Sequence, residues 1–79
     1  MFVRVKLYGT LRRLSQSGTP GLWQGEISPG TRILDLITLI GSSAREVSAA
    51  SVDGAVLPLE TVIPDGTQEI ILVTPMGGG

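Results

Sequence analysis

The 79-residue chain contains no cysteine and no histidine. Those two absences remove the usual ligands of zinc and iron–sulfur sites, so no metal site is expected. They also remove Cys–His and Ser–His nucleophilic pairs. Disulfides cannot form, and nothing marks an oxidising compartment. Charge is sparse as well: 16% of residues are charged and the net charge is −1. A chain so close to neutral is poorly suited to a phosphate backbone, so nucleic acid is not expected as the main partner. Long apolar runs are missing. The longest falls far short of a membrane span, and MFVRVKLYG at the N-terminus has no signal-peptide core. A cytoplasmic protein with no membrane partner is the expectation.

What is present points to one small domain. The apolar fraction is 42%, and the abundance of Val, Ile and Leu excludes disorder as a reading. A domain of roughly 60 residues buries only about 60% of the surface its unfolded chain exposes. Little room is left for an enclosed substrate cavity. An elaborate active site is therefore not expected.

The chain alternates where a strand should. In Phe2–Tyr8, Val3, Val5 and Leu7 share one face and Arg4 and Lys6 the other. Leu11–Leu14 reads either as a helical turn or as irregular chain. Ser15–Gly21 is a loop by composition, and Leu22–Ser28 reads as a second strand weakened by Gly25. Thr31–Ile40 is the clearest helix, with Thr31 as N-cap, no Glu or Gln at Leu34 to complete a capping box, and Gly41 as its stop. Ile33, Leu36, Ile37 and Ile40 fall on one face of it. Ten helical residues are marginal alone, so that face needs a sheet. Val47–Val52 and Ala55–Leu59 flank Asp53-Gly54, a strong hairpin signal, and Pro58 assigns the second of them to an edge. Thr61–Ile63 reads as one short helical turn and Pro64-Asp65-Gly66 as a tight turn. Gln68–Thr74 is apolar on both faces through Ile70-Ile71-Leu72-Val73, which suits a central strand. The expectation is an α+β fold, a mixed sheet of four to five strands packed on one main helix, with the domain over residues 1–76 and a tail over 77–79.

The tail is the one unusual chemical feature. Pro75 cannot donate to a sheet ladder and ends the last strand. Gly77, Gly78 and Gly79 carry no side chains and have maximal backbone freedom. An ordinary frayed terminus is the bland reading. The functional one is that a carboxylate on a thread without Cβ atoms can enter a channel too narrow for ordinary side chains, where another protein presents it to an electrophile.

Taken together, VRVKLYGTLRR, PGTRILDLI, VDGAVL and PLETVIPDGTQEIILVTPMGGG resemble the MoaD/ThiS sulfur carriers of the ubiquitin-like β-grasp fold, over nearly the whole chain. The close of the chain is the most specific part: Ile63, Asp65-Gly66, a final strand, Pro75, and then glycines. Tyr8-Gly-Thr-Leu-Arg12 is more similar to the MoaD side. The resemblance implies a carrier rather than an enzyme. A ubiquitin-activating-type adenylating enzyme would bind the domain and use ATP to adenylate Gly79, with Gly77 and Gly78 threading the tail. A sulfur donor such as a protein persulfide would then yield a C-terminal thiocarboxylate. The sulfur would pass to a synthase such as the molybdopterin synthase large subunit, or along a thiamine pathway. No cofactor is expected to bind the chain itself. A ubiquitin-like modifier conjugated through Gly79 uses the same acyl-adenylate and stays open. Two departures are notable: three glycines, preceded by Met76, stand where two are usual, and the Leu11–Leu14 segment with the Ser15–Gly21 loop makes the chain longer than a typical thiamine-pathway carrier. Either Gly79 is the reactive end or one glycine is trimmed first, and the former is the simpler reading.

A carrier also needs a docking surface. With Ile70 and Leu72 turned to the helix, Ile71 and Val73 fall on the opposite face of the last strand. Phe2 on the first strand, Pro75 and Met76 complete the candidate partner-binding set. The bland alternative is that these residues fill a sheet. Arg4, Lys6, Arg12 and Arg13 form a basic cluster, read as a solvated face or as a dock for an acidic partner. Trp23 reads as core. Asp53 and Asp65 read as turn residues rather than catalytic carboxylates.

Overall fold

The structure is a computed structural model and describes residues 1–16 and 18–75. Five strands and one α-helix follow the chain as β1 (Phe2–Leu7), β2 (Leu22–Glu26), α1 (Ile33–Ile40), β3 (Ala49–Val52), β4 (Ala55–Leu57) and β5 (Glu69–Val73). A 3-10 helix over Gly9–Leu14 resolves the choice left open for Leu11–Leu14 in favour of a helix. The strands make one mixed sheet in the order β2-β1-β5-β3-β4. β5 lies at its centre, parallel to β1 and antiparallel to β3. The double-sided apolar run of β5 thus matches a central strand, and β4 is the edge beside Pro58.

Alternation decides which face is buried. Val3, Val5 and Leu7 of β1, Ile70 and Leu72 of β5, and Ala50 and Val52 of β3 all point to the helix side and are buried. Against them pack Ile33, Leu36, Ile37 and Ile40, the helical stripe expected from their spacing. Trp23 lies opposite Val5 and packs against the same core. Gly25 is not an interruption of β2. A Cβ there would fall 2.9 Å from Trp23 Cη2, so the missing side chain leaves the indole room to lie along its own strand.

The helix starts later than the sequence suggests. Thr31 is not its N-cap; the Thr31 hydroxyl donates to Ser28 O at 2.7 Å. Arg32 takes the capping position with extended backbone, and the Asp35 carboxylate accepts from its N–H at 3.0 Å and from its guanidinium at 3.2 Å. The half of a capping box denied to Leu34 is supplied by Asp35. These Arg32 bonds hold the Asp35 carboxyl below its ordinary pKa. Two further N–H groups of the first turn, on Ile33 and Leu34, donate to Thr61 O and Leu59 O. The segment expected as a helical turn at Thr61–Ile63 is therefore extended chain, bridged to Arg32 through Val62. At the other end Gly41 has φ 108°, with Gly41 N–H bonded to Thr38 O and Ser42 N–H to Ile37 O. That pairing closes the last turn and needs a left-handed residue at Gly41.

Two short strands differ in length from expectation. β3 starts at Ala49 rather than Val47, and β4 ends at Leu57. The turn between them is as read: Asp53 and Gly54 have φ 47° and 91°. Asp53 also accepts from the N–H groups of Gln68 and Glu69, at 3.2 and 2.9 Å, and so fixes where β5 begins.

Candidate functional site

Among the described residues, the face of the sheet away from the helix carries no second layer. Residues paired across neighbouring strands share a face, so register defines its rows. One row runs Val56, Ser51, Ile71, Lys6, Leu22 across all five strands. The next, nearer the C-terminal end of β5, holds Ala49 and Val73, with Tyr8 following Leu7 on β1. The row on the other side holds Glu69, Arg4 and Gln24. Ile71 and Val73 are half-buried, whereas Ile70 and Leu72 on the helix side are fully covered. The outer face is thus apolar toward the end of β5 and charged toward its start, where Lys6 Nζ lies 3.4 Å from Glu69 Oε2.

Phe2 does not join Ile71 and Val73. It is 54% exposed and on the same face, but Ile71 pairs with Lys6, four residues farther along β1, or about 13 Å at the strand rise. Tyr8, 48% exposed, occupies the position beside Val73 instead. Parallel pairing of β1 with β5 decides this, and the alternation Phe2-Arg4-Lys6-Tyr8 alone does not reveal it. Pro75 is exposed just past β5. Met76, Gly77, Gly78 and Gly79 lie outside the described residues.

The root of the tail is held firmly. Leu72 O accepts from Tyr8 N–H at 3.3 Å, and Val73 O accepts from Ser48 N–H at 2.9 Å and its hydroxyl at 3.3 Å. Thr74 packs directly on Gly9, which has φ 62° and no space for a Cβ against the threonine side chain. Sheet hydrogen bonding thus runs to Leu72 on the β1 side and to Val73 on the β3 side, and Pro75 follows without an N–H to continue it.

The basic cluster divides on inspection. Arg13 is committed to Glu46, at 2.7 Å, and Ser42 joins the same carboxylate at 2.8 Å; these bonds lower the Glu46 pKa. Lys6 has Glu69. Arg4 and Arg12 have no carboxylate within ion-pair distance among the described residues. Among the described residues, no group of three acidic, His or Cys side chains could hold a metal ion, and no helix is long and apolar enough to cross a membrane.

Neither the family models nor the curated proteins compared with the sequence match it. Among solved structures, the crystal structure of SAMP1 from Haloferax volcanii is similar over 100% of both chains, with a TM-score of 0.68 and 17% identity. The fold is a ubiquitin-like β-grasp. At 17% identity the likeness establishes the architecture, and with it the position of the chain's last strand at the middle of the sheet.

Proposed function

We propose that the chain is a sulfur carrier whose Gly79 carboxylate is activated by a partner enzyme docked on the outer face of the sheet. The observation that carries the reading is the course of β5: its half-buried outer-face side chains, Ile71 and Val73, lead straight to the anchored root at Thr74 and to Pro75. A partner seated there is already at the start of the tail. The β-grasp architecture and the sequence resemblance to MoaD/ThiS carriers support the same reading.

The chemistry belongs to the partner. The Gly79 carboxylate attacks the α-phosphate of ATP, pyrophosphate leaves, and an acyl-adenylate forms. The outer sulfur of a persulfide on another protein displaces AMP, and a thiol cleaves the resulting S–S bond to leave the thiocarboxylate. A synthase subunit of the molybdopterin type takes the sulfur. The β-grasp domain supplies docking and presentation.

Intact-mass measurement tests this. Incubation with the adenylating enzyme of the same organism, ATP and a sulfur donor raises the chain's mass by the difference between sulfur and oxygen. Deleting Gly78 and Gly79 abolishes the gain without unfolding the domain. An unmodified full-length chain after demonstrated adenylation rejects the carrier assignment, and isopeptide conjugates in its place assign the tail to protein modification.

A further inference from the structure

Between the end of β1 and the chain entering β2 the surface opens into a recess of about 260 Å³ whose walls include Lys6, Tyr8, Arg12, Pro20, Gly21 and Leu22. We infer that this recess receives a carboxylate side chain of the activating partner, with Arg12 as its principal ligand; the inference rests on the carrier reading above.

Three observations converge on it. The first is charge. Two cations and a phenol line one small depression, in a chain whose net charge is −1. Arg13 and Arg32 have carboxylates at 2.7 and 3.2 Å, and Lys6 has one at 3.4 Å. No carboxylate among the described residues lies that close to Arg12. A guanidinium fork with no carboxylate partner among the described residues, beside an apolar wall, matches the planar geometry of a carboxylate.

The second is construction. Ser15 ties the recess together: its hydroxyl donates to Arg12 O at 2.6 Å and accepts Gly21 N–H at 2.7 Å. Gly21 O in turn accepts from Leu7 N–H at 2.8 Å. The 3-10 turn bearing Arg12 begins at Gly9, the residue on which Thr74 packs. Arg12 is thus built onto the same joint as the tail.

The third is distance. Gly79 lies four residues beyond Pro75 in the sequence, a reach of up to about 14 Å. The nucleotide phosphates react at the far end of that reach, and the body of the partner covers its near end. The anion placed at Arg12 is therefore an Asp or Glu of the partner rather than a phosphate.

The experiment is chain-dependent ATP–pyrophosphate exchange by the adenylating enzyme of the same organism. Arg12→Glu raises the chain concentration needed for half-maximal exchange roughly 30-fold and leaves the rate at saturation unchanged. Arg45→Glu, which reverses an exposed arginine outside the recess, has no such effect. A chain lacking Gly78 and Gly79 supports no exchange but competes with the full-length chain, and Arg12→Glu within it removes the competition. An unchanged half-maximal concentration for Arg12→Glu overturns the proposal and leaves the carrier reading standing, as does an equal shift for Arg45→Glu. Absence of exchange with the full-length wild-type chain overturns the carrier reading, and this proposal with it.

Discussion

The two faces of the sheet obey different rules. On the helix side every strand residue from Val3 to Leu7, and from Ile70 to Leu72, that points inward is apolar and covered. On the other side β1 and β5 alternate charge with apolar groups, Arg4 and Lys6 beside Glu69, then Ile71, Val73 and Tyr8. Val56, 74% exposed, extends that uncovered surface to the edge strand. The inner face holds the fold together. The outer face has no such layer over it among the described residues, and it is the surface proposed above for a partner.

The contrast can be broken by paired substitutions. Leu36→Ala on the buried stripe costs about 2–5 kcal/mol, because the cavity cannot collapse against the sheet; chemical denaturation measures it. Ile71→Asp, one position from the buried Ile70, costs about 1 kcal/mol yet reduces activation at least tenfold in the exchange assay. If Ile71→Asp costs as much stability as Leu36→Ala does, the outer face is a second core and the division fails.

A substitution at the tail root has an intermediate effect. Gly9→Ala puts a side chain where φ is 62° and Thr74 already sits, so stability falls by about 1–3 kcal/mol. The shift spreads to Thr74, and activation suffers more than the change in stability explains. Equal melting temperatures for Gly9→Ala and wild type would show that the joint is loose.

The smallest effect is electrostatic and belongs to neither face. Asp35 and Glu46 have lowered pKa values, through hydrogen bonds from Arg32 and from Arg13 with Ser42. A carboxyl with a folded pKa below its unfolded one stabilises the protein above the unfolded value and ceases to do so as pH falls through the folded value. Stability therefore declines as pH drops from about 4.5, the ordinary glutamate value. The Arg32–Asp35 pair is exposed and the Arg13–Glu46 pair only partly covered, so the decline is shallow. Asp35→Asn with Glu46→Gln flattens it in thermal melts at decreasing pH, and a double variant as acid-sensitive as wild type would place the sensitivity elsewhere.

Local chemistry made much of the architecture legible. Asp53-Gly54 announced the hairpin, Gly41 the helix stop, and the Ile70–Val73 run the central strand. Distant partners set what was hidden. Thr61–Ile63 reads as helical in isolation, but the first-turn N–H groups of α1 draw it into extended chain. Thr31 resembles an N-cap, and Asp35 does the capping from the other direction. The candidate docking set was half visible: alternation identifies Ile71 and Val73, while only the parallel register excludes Phe2 from their cluster and admits Tyr8. The division of the basic cluster could not be read either, because Arg13 and Glu46 meet across 33 positions of sequence.

The adjacency of β1 and β5 has a mechanical consequence. The two strands run the same way side by side, so Phe2 and Val73 sit at opposite ends of the sheet. Tension applied between the chain's beginning and its tail loads their shared hydrogen bonds together, in shear, instead of unzipping them one after another. A machine hauling on the glycine tail would meet its greatest resistance at the first step.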